Sequence, residues 1–223
     1  MFSVSEAWKT SYPGAAVGVL AMGNVANPES HAALDRVKGE LEDQIRAGFA
    51  SKEDLRALDP LQTYREYYKR FKKTYHVQLQ LESIAFKGKS IPRVAALVEA
   101  MFVAELKNML LTAGHDLDIV EPPVAVDVAQ GSETYVRING QEQDLKAGDM
   151  FIADRQGVLS SIIYGPDRRT QIRPETRRVL FTVYAPSGIG AEAVRQHLQD
   201  MEAYVRLIAP QAATELLEVY QAA

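Results

Sequence analysis

Apolar and polar residues alternate in two rhythms along the chain. Ala15 to Met22 (AAVGVLAM) is a short unbroken apolar run between Pro13-Gly14 and Gly23-Asn24, the pattern of a buried strand. Beyond Asn27-Pro28 the rhythm turns helical: Ala33, Leu34, Val37, Leu41 and Ile45 share one face, with Ser30 placed to cap the helix and Gly48 to end it. Ser51 with Asp54 three residues on predicts a second short helix through Leu58, stopped at Asp59-Pro60. A third spans about Leu61 to Lys73, and Leu81, Ile84 and Ala85 fit a fourth over Gln78 to Phe86, ended by Gly88. From Pro92 to about Leu111 the series Val94, Leu97, Val98, Met101, Phe102, Leu106 and Leu110 predicts a long core helix.

Past Gly114 the pattern shortens to β-like runs at Val124 to Ala129, Thr134 to Ile138, Met150 to Ala153, Val158 to Tyr164 and Arg178 to Tyr184. Turn dipeptides such as Asn139-Gly140 and Gly148-Asp149 separate them, which predicts an antiparallel core. Ala191 to Ile208 and Ala212 to Tyr220 read as two closing helices split by Pro210. With no repeat and no low-complexity stretch, residues 1–223 read as a single domain of the α+β class.

Composition removes whole classes of chemistry. Zero cysteines exclude a disulfide framework, a thiolate nucleophile and a Cys-ligated zinc. Uncharged stretches such as Ser11 to Pro28 are too short or too broken by Gly, Pro and Asn to span a bilayer, so no membrane partner is expected. The first twelve residues lack the succession of a secretion signal, and a cytoplasmic location is the expectation. Phosphate loop, nucleophile elbow, dinucleotide fingerprint and His-Glu-x-x-His are all absent from the sequence. The four histidines are widely separated. His115 has the most suggestive setting, in Ala113-Gly114-His115-Asp116-Leu117-Asp118 after the core helix. Three readings of it stand open: a pocket residue, a helix-terminating turn bonded to backbone, or a metal site with Asp116 and Asp118.

A net charge of -4 argues against a protein that wraps nucleic acid, and no DNA partner is expected. The charge is uneven, however. Arg65 to Arg93 carries eight bases against two acids, and Gly165 to Arg178 carries five against two. Such patches suit either a phosphate-bearing partner or a solvated face. In the first, the end of the Leu61 helix offers Lys72 and Lys73; in the second, Arg168, Arg169, Arg173, Arg177 and Arg178 flank a loop that opens at Gly165. Tyr64, Tyr67, Tyr68 and Phe71 among the bases could stack on RNA or fill a core.

An ordered set of landmarks then brings in a resemblance. Lys89-Ser90-Ile91-Pro92-Arg93 opens a long helix, and His115-Asp116-Leu117-Asp118 follows it. Gly131-Ser132-Glu133-Thr134, Asn139-Gly140, Ile152-Ala153-Asp154, Ile162-Ile163-Tyr164-Gly165, Glu175-Thr176-Arg177-Arg178-Val179-Leu180 and Ala185-Pro186 come after in that order. The span from about Val77 to Ile189 resembles the B3/B4 domain of the phenylalanyl-tRNA synthetase β subunit, which hydrolyses tyrosine mischarged onto the phenylalanine tRNA. Trp8, Tyr12-Pro13-Gly14 and the tyrosine-rich helix resemble free-standing members of that family, giving a family core at about 77–189, an N-terminal helical extension (1–76) and C-terminal helices (190–223).

The resemblance implies a layered α+β fold with an antiparallel, sandwich-like core flanked by helices. It also implies hydrolysis without metal, cofactor or covalent nucleophile. Carried over by position, the glycine facing the substrate is Gly165, the glutamate that reads a tyrosine hydroxyl is replaced by Thr182, and the pocket histidine by Ala113. A threonine in place of a buried carboxylate weakens discrimination for tyrosine but leaves an amino-acid-sized pocket. The functions that follow are a trans-acting editing deacylase on a mischarged tRNA, with His115 orienting water and the arginines on the acceptor end, or a noncatalytic module for tRNA or an amino acid. A purely structural protein is the third.

Overall fold

Residues 2–222 are described by a computed structural model; Met1 and Ala223, the ends of the expected domain, lie outside them. The elements run β1 (Phe2–Val4), α1 (Glu6–Ser11), β2 (Ala16–Gly23), α2 (Ala32–Gly48), α3 (Lys52–Arg56), α4 (Asp59–Arg70), α5 (His76–Lys87) and α6 (Ala96–Asn108). Then follow β3 (Thr112–Asp116), β4 (Val124–Val128), β5 (Thr134–Val136), β6 (Glu142–Asp144), β7 (Met150–Asp154), β8 (Gly157–Ser161), β9 (Gly165–Pro166), β10 (Arg178–Ala185), α7 (Ala191–Ile208) and β11 (Ala213–Gln221). One sheet has the order β1-β4-β7-β8-β9 and a second the order β11-β2-β10-β3, with β5 and β6 as a separate hairpin. Among the described residues only the short β1–β4 pairing is parallel.

The layering follows from what each face of the second sheet meets. Gly18 leaves room for Val194 and Leu198 of α7, and Thr112 Oγ1 lies 2.8 Å from His197 Nε2, so α6 and α7 cover that face. The opposite face looks toward the first sheet, where the Tyr184 hydroxyl donates to Ser160 O at 2.9 Å. Helix α4 ties the two sheets together. The Tyr64 hydroxyl donates to Tyr184 O of β10, whereas the Tyr68 hydroxyl donates to Ile162 O at 2.6 Å and that of Tyr67 to Asp149 Oδ1 at 2.8 Å. Tyr64, Tyr67, Tyr68 and Phe71 are all buried, so the aromatic stripe is core and offers no ring to a nucleobase.

Several expectations are corrected. Ala212 to Tyr220 is not a helix: it is strand β11, which pairs along the full length of β2. A bulge between Thr214 and Leu216 leaves Glu215 as an extra residue and breaks the period-two alternation that would have marked the strand. His115 lies in an edge strand rather than in a turn, because β10 needs a second partner and Thr112–Asp116 supplies it. Helix α6 starts at Ala96, four residues after Pro92; Leu97 N donates to Asn27 Oδ1 at 3.0 Å and Ala96 N to Pro28 O at 2.9 Å, a cap brought from distant chain. Helix α2 likewise begins after His31, with Ser30 outside the cap position. The segments 1–76 and 190–223 are not helical appendages, since β2 is an interior strand and β11 its outer neighbour.

Candidate functional site

The positions singled out on β3 and β10 face each other. Ala113 pairs with Thr182 and His115 with Leu180, and these side chains point into the layer between the sheets. Thr182 and His115 are 0% exposed and Ala113 3%. His115 Nδ1 lies 2.8 Å from Thr170 Oγ1, whose hydroxyl donates to Asp167 Oδ1, while Nε2 faces Ser160 Oγ at 3.3 Å. Ser160 Oγ in turn lies 2.7 Å from the Tyr184 hydroxyl. Ser160, His115 and Asp167 thus stand in the order of nucleophile, base and orienting acid, yet all three are buried. In this conformation they satisfy one another's polar groups, and His115 has no solvent-reachable position from which to orient a water. Sequence reasoning missed Ser160, Asp167, Thr170 and Tyr184 as members of this network, because only the packing of β8 and of the β9–β10 connection against β3 and β10 joins them. Thr182 Oγ1 is buried without a hydrogen-bond partner.

Gly165 sits elsewhere, at the edge strand β9 with φ +79° and open space where a Cβ would stand. Its carbonyl accepts from the Tyr135 hydroxyl at 2.7 Å. The metal reading of the His115 segment is not borne out: Asp116 Oδ1 accepts from Asp118 N, its Oδ2 accepts from the Thr176 hydroxyl at 2.7 Å, and no set of three ligating side chains converges among the described residues.

A cavity of about 510 Å³ opens beside these strands. Val94, Ala95, Val98, Met101 and Phe102 of the α6 segment form one wall, and Pro166 of β9 with Gln171, Ile172 and Pro174 of the β9–β10 connection forms another. Gly114, between Ala113 and His115 but facing the opposite way, is its floor; a Cβ there would come within 2.8 Å of Ile172 Cδ1. Asn27 and Gln171 are the polar side chains of the lining, which holds no titratable group. Asn27 also donates to Arg173 O at 3.0 Å, so the residue that caps α6 fixes the arginine loop against it.

The five arginines divide by partner. Arg169 donates to Asp154 Oδ1 at 2.8 Å, and Arg178 bridges Glu215 at 2.5 Å and Asp118 at 3.3 Å. Arg177 folds back onto the carbonyls of Pro174 and Thr176, at 3.0 and 2.9 Å. Arg168 and Arg173 are exposed and, among the described residues, form no ion pair. Lys72 and Lys73 are exposed at the end of α4, with Lys73 Nζ 5.3 Å from the centre of the Tyr164 ring.

The B3/4 domain matches this chain over residues 63–219. The chain belongs to the B3/4 domain family. A 69-residue stretch of the chain is 29% identical to the phenylalanine–tRNA ligase beta subunit of Mycoplasma pneumoniae, covering 31% of this chain and 9% of that protein. Among solved structures, an N-terminal fragment of the phenylalanyl-tRNA synthetase beta-subunit from Pyrococcus horikoshii superposes with a TM-score of 0.50 at 12% identity. That superposition covers 98% of this chain and 50% of the fragment, and it shows a common fold. This B3/4 chain therefore spans half or less of the proteins it resembles. The matched region begins after β2, although β2 stands at the centre of the second sheet. Among the described residues no helix is long and apolar enough to cross a membrane.

Proposed function

We propose that this B3/4 protein receives the aminoacylated acceptor end of a tRNA and hydrolyses a mischarged ester in trans. The observation that carries the reading is the position of the cavity. Helix α6 and the loop that carries Arg168 and Arg173 are two of its walls, Gly114 of β3 is its floor, and both arginines are exposed and form no ion pair among the described residues. An apolar side chain would occupy the 510 Å³ space while the two guanidinium groups hold phosphates. With no titratable lining residue, the chain's part in catalysis is to fix the ester and a water against each other. Water attacks the ester carbonyl, its proton passes to the departing ribose oxygen, and a neighbouring ribose hydroxyl of the tRNA assists the transfer.

The sealed setting of His115, Ala113 and Thr182 favours a second reading, a noncatalytic module that binds the same acceptor end. A panel of mischarged tRNAs separates the two. Val98→Trp, which projects from the half-buried α6 wall into the cavity, is expected to lower ester hydrolysis at least ~10-fold and leave tRNA affinity unchanged. Replacing Arg168 and Arg173 together by alanine should weaken tRNA binding and reduce the slope of affinity against salt by up to ~2. Undiminished hydrolysis in Val98→Trp would place the reacting ester outside this cavity. A wild-type protein that binds tRNA and hydrolyses none of the panel would establish the binding module.

A further inference from the structure

The C-terminal end of α4 builds a second basic feature from residues far in sequence from the arginine loop. Lys72 there has φ +57°, a left-handed conformation that glycine enters freely and lysine does not. The turn sends Lys72 N to Lys69 O at 3.0 Å and Lys73 N to Tyr68 O at 3.1 Å, while Lys146 Nζ donates to Phe71 O at 3.1 Å. These bonds occupy carbonyls that would otherwise give the helix end a negative face. Arg70 adds a third cation. Its guanidinium carbon lies 5.3 Å from the ring centres of Tyr12 and Tyr67 and 5.5 Å from that of Phe71, and Nη2 lies 3.3 Å from the Tyr12 hydroxyl.

Those three rings hold the Arg70 head group in place, and among the described residues it forms no ion pair. The recess between these groups, about 340 Å³, is lined by Arg70, Phe71, Lys72, Lys146 and Ala147, so three cations meet there without a carboxylate in the lining. A helix that needed only a stop would be better served by glycine at position 72. The strained lysine keeps a charge at the recess instead.

We propose that Arg70, Lys72 and Lys146 form a binding site for a phosphate group, filled by a backbone phosphodiester of bound RNA. The source of the phosphate rests on the tRNA reading above; the anion site itself rests on the recess. A fixed guanidinium can fork onto two phosphate oxygens while the two ammonium groups meet the remaining charge. Lys73, beside the recess in sequence and over the Tyr164 ring, continues the positive surface toward Gly165.

The full chain is titrated with inorganic phosphate and, separately, with uncharged tRNA over a range of salt. Wild type is compared with Lys72→Gly, with Lys72→Gln/Lys146→Gln, and with the Arg168→Ala/Arg173→Ala double variant. Both recess variants are expected to lose phosphate binding, to bind tRNA about 5- to 10-fold more weakly, and to show a salt slope smaller by about 1. Lys72→Gly should at the same time melt no lower than wild type, because glycine relieves the left-handed backbone; a purely structural lysine would leave both titrations unchanged. Recess variants that bind phosphate and tRNA like wild type overturn the proposal. Loss of tRNA binding confined to the arginine-loop variant would do so while sparing the tRNA reading. Phosphate binding that depends on Lys72 and Lys146, in a protein with no affinity for tRNA, would uphold the anion site and overturn its RNA occupant.

Discussion

Thr182 carries the sharpest question at the level of a single residue. Its hydroxyl is enclosed between the sheets without a partner, opposite the small Ala113. An unpaired buried hydroxyl loses its water contacts and receives nothing in return, whereas valine has nearly the same shape and no polar atom. Thr182→Val is therefore expected to leave stability unchanged or raise it by up to ~1 kcal/mol, read from urea unfolding. A loss of more than ~1 kcal/mol would mean that the hydroxyl is bonded in solution, to a water or a bound group. His115 stands in contrast on the same face, since both ring nitrogens have neighbours and its burial is matched by Thr170 and Ser160.

Among the elements, α4 does the most to unite the molecule, and it does so through phenol groups. The Tyr64 hydroxyl accepts from Leu111 N at 2.9 Å and donates to Tyr184 O, joining the α6–β3 connection to β10. Its ring stacks on Tyr75 at 4.2 Å, and burial holds the phenol far above its ordinary ionisation range. Tyr64→Phe keeps the ring and strands the Leu111 N–H and the Tyr184 carbonyl. We expect it to destabilise the protein by about 2–3 kcal/mol, seen as a lower urea midpoint with an unchanged m-value. The positive run that contains α4 is thus two-sided: the tyrosines are core, and the bases between them are surface.

For the whole molecule, buried titratable groups set the response to pH. Burial pushes Glu105 up from 4.5 to about 8 and Asp149 from 3.8 to about 7, while burial pulls His197 down from 6.5 to about 4. Between pH 4.5 and 8 the unfolded chain has released the Glu105 proton that the folded protein retains, so each such acid lowers stability as pH rises, by at most ~1.4 kcal/mol per pH unit. His197 acts in the other direction, because below pH 6.5 the unfolded chain binds a proton that the fold refuses. Replacing Glu105 by Gln, which can still accept from Thr112 N, should flatten the fall in stability between pH 5 and 8. Urea midpoints at pH 5, 6.5 and 8 measure this, and parallel curves for wild type and variant would show Glu105 to be ionised in the fold.

Where local pattern is sufficient, the sequence alone determined the outcome. Apolar runs bounded by turns specify β2, β4, β7 and β10; caps and helical spacing specify α3 and α5; the order of landmarks from Lys89 to Pro186 specifies the family. Each of these signals lies within a few residues of chain, where periodicity and turn chemistry act. Tertiary structure alone decided the rest. Thr112–Asp116 and Ala213–Gln221 are strands because β10 and β2 offer unpaired backbone to them, a demand that neither segment's own pattern records. The five arginines look alike in sequence, yet Asp154, Asp118 and Glu215 arrive from elsewhere in the chain to neutralise Arg169 and Arg178, while Arg168 and Arg173 form no ion pair among the described residues. His115 is enclosed by Thr170 and Ser160 for the same reason. Hydrogen-bond satisfaction and charge pairing are settled by neighbours in space, and those neighbours lie from 15 to 60 residues away along the chain.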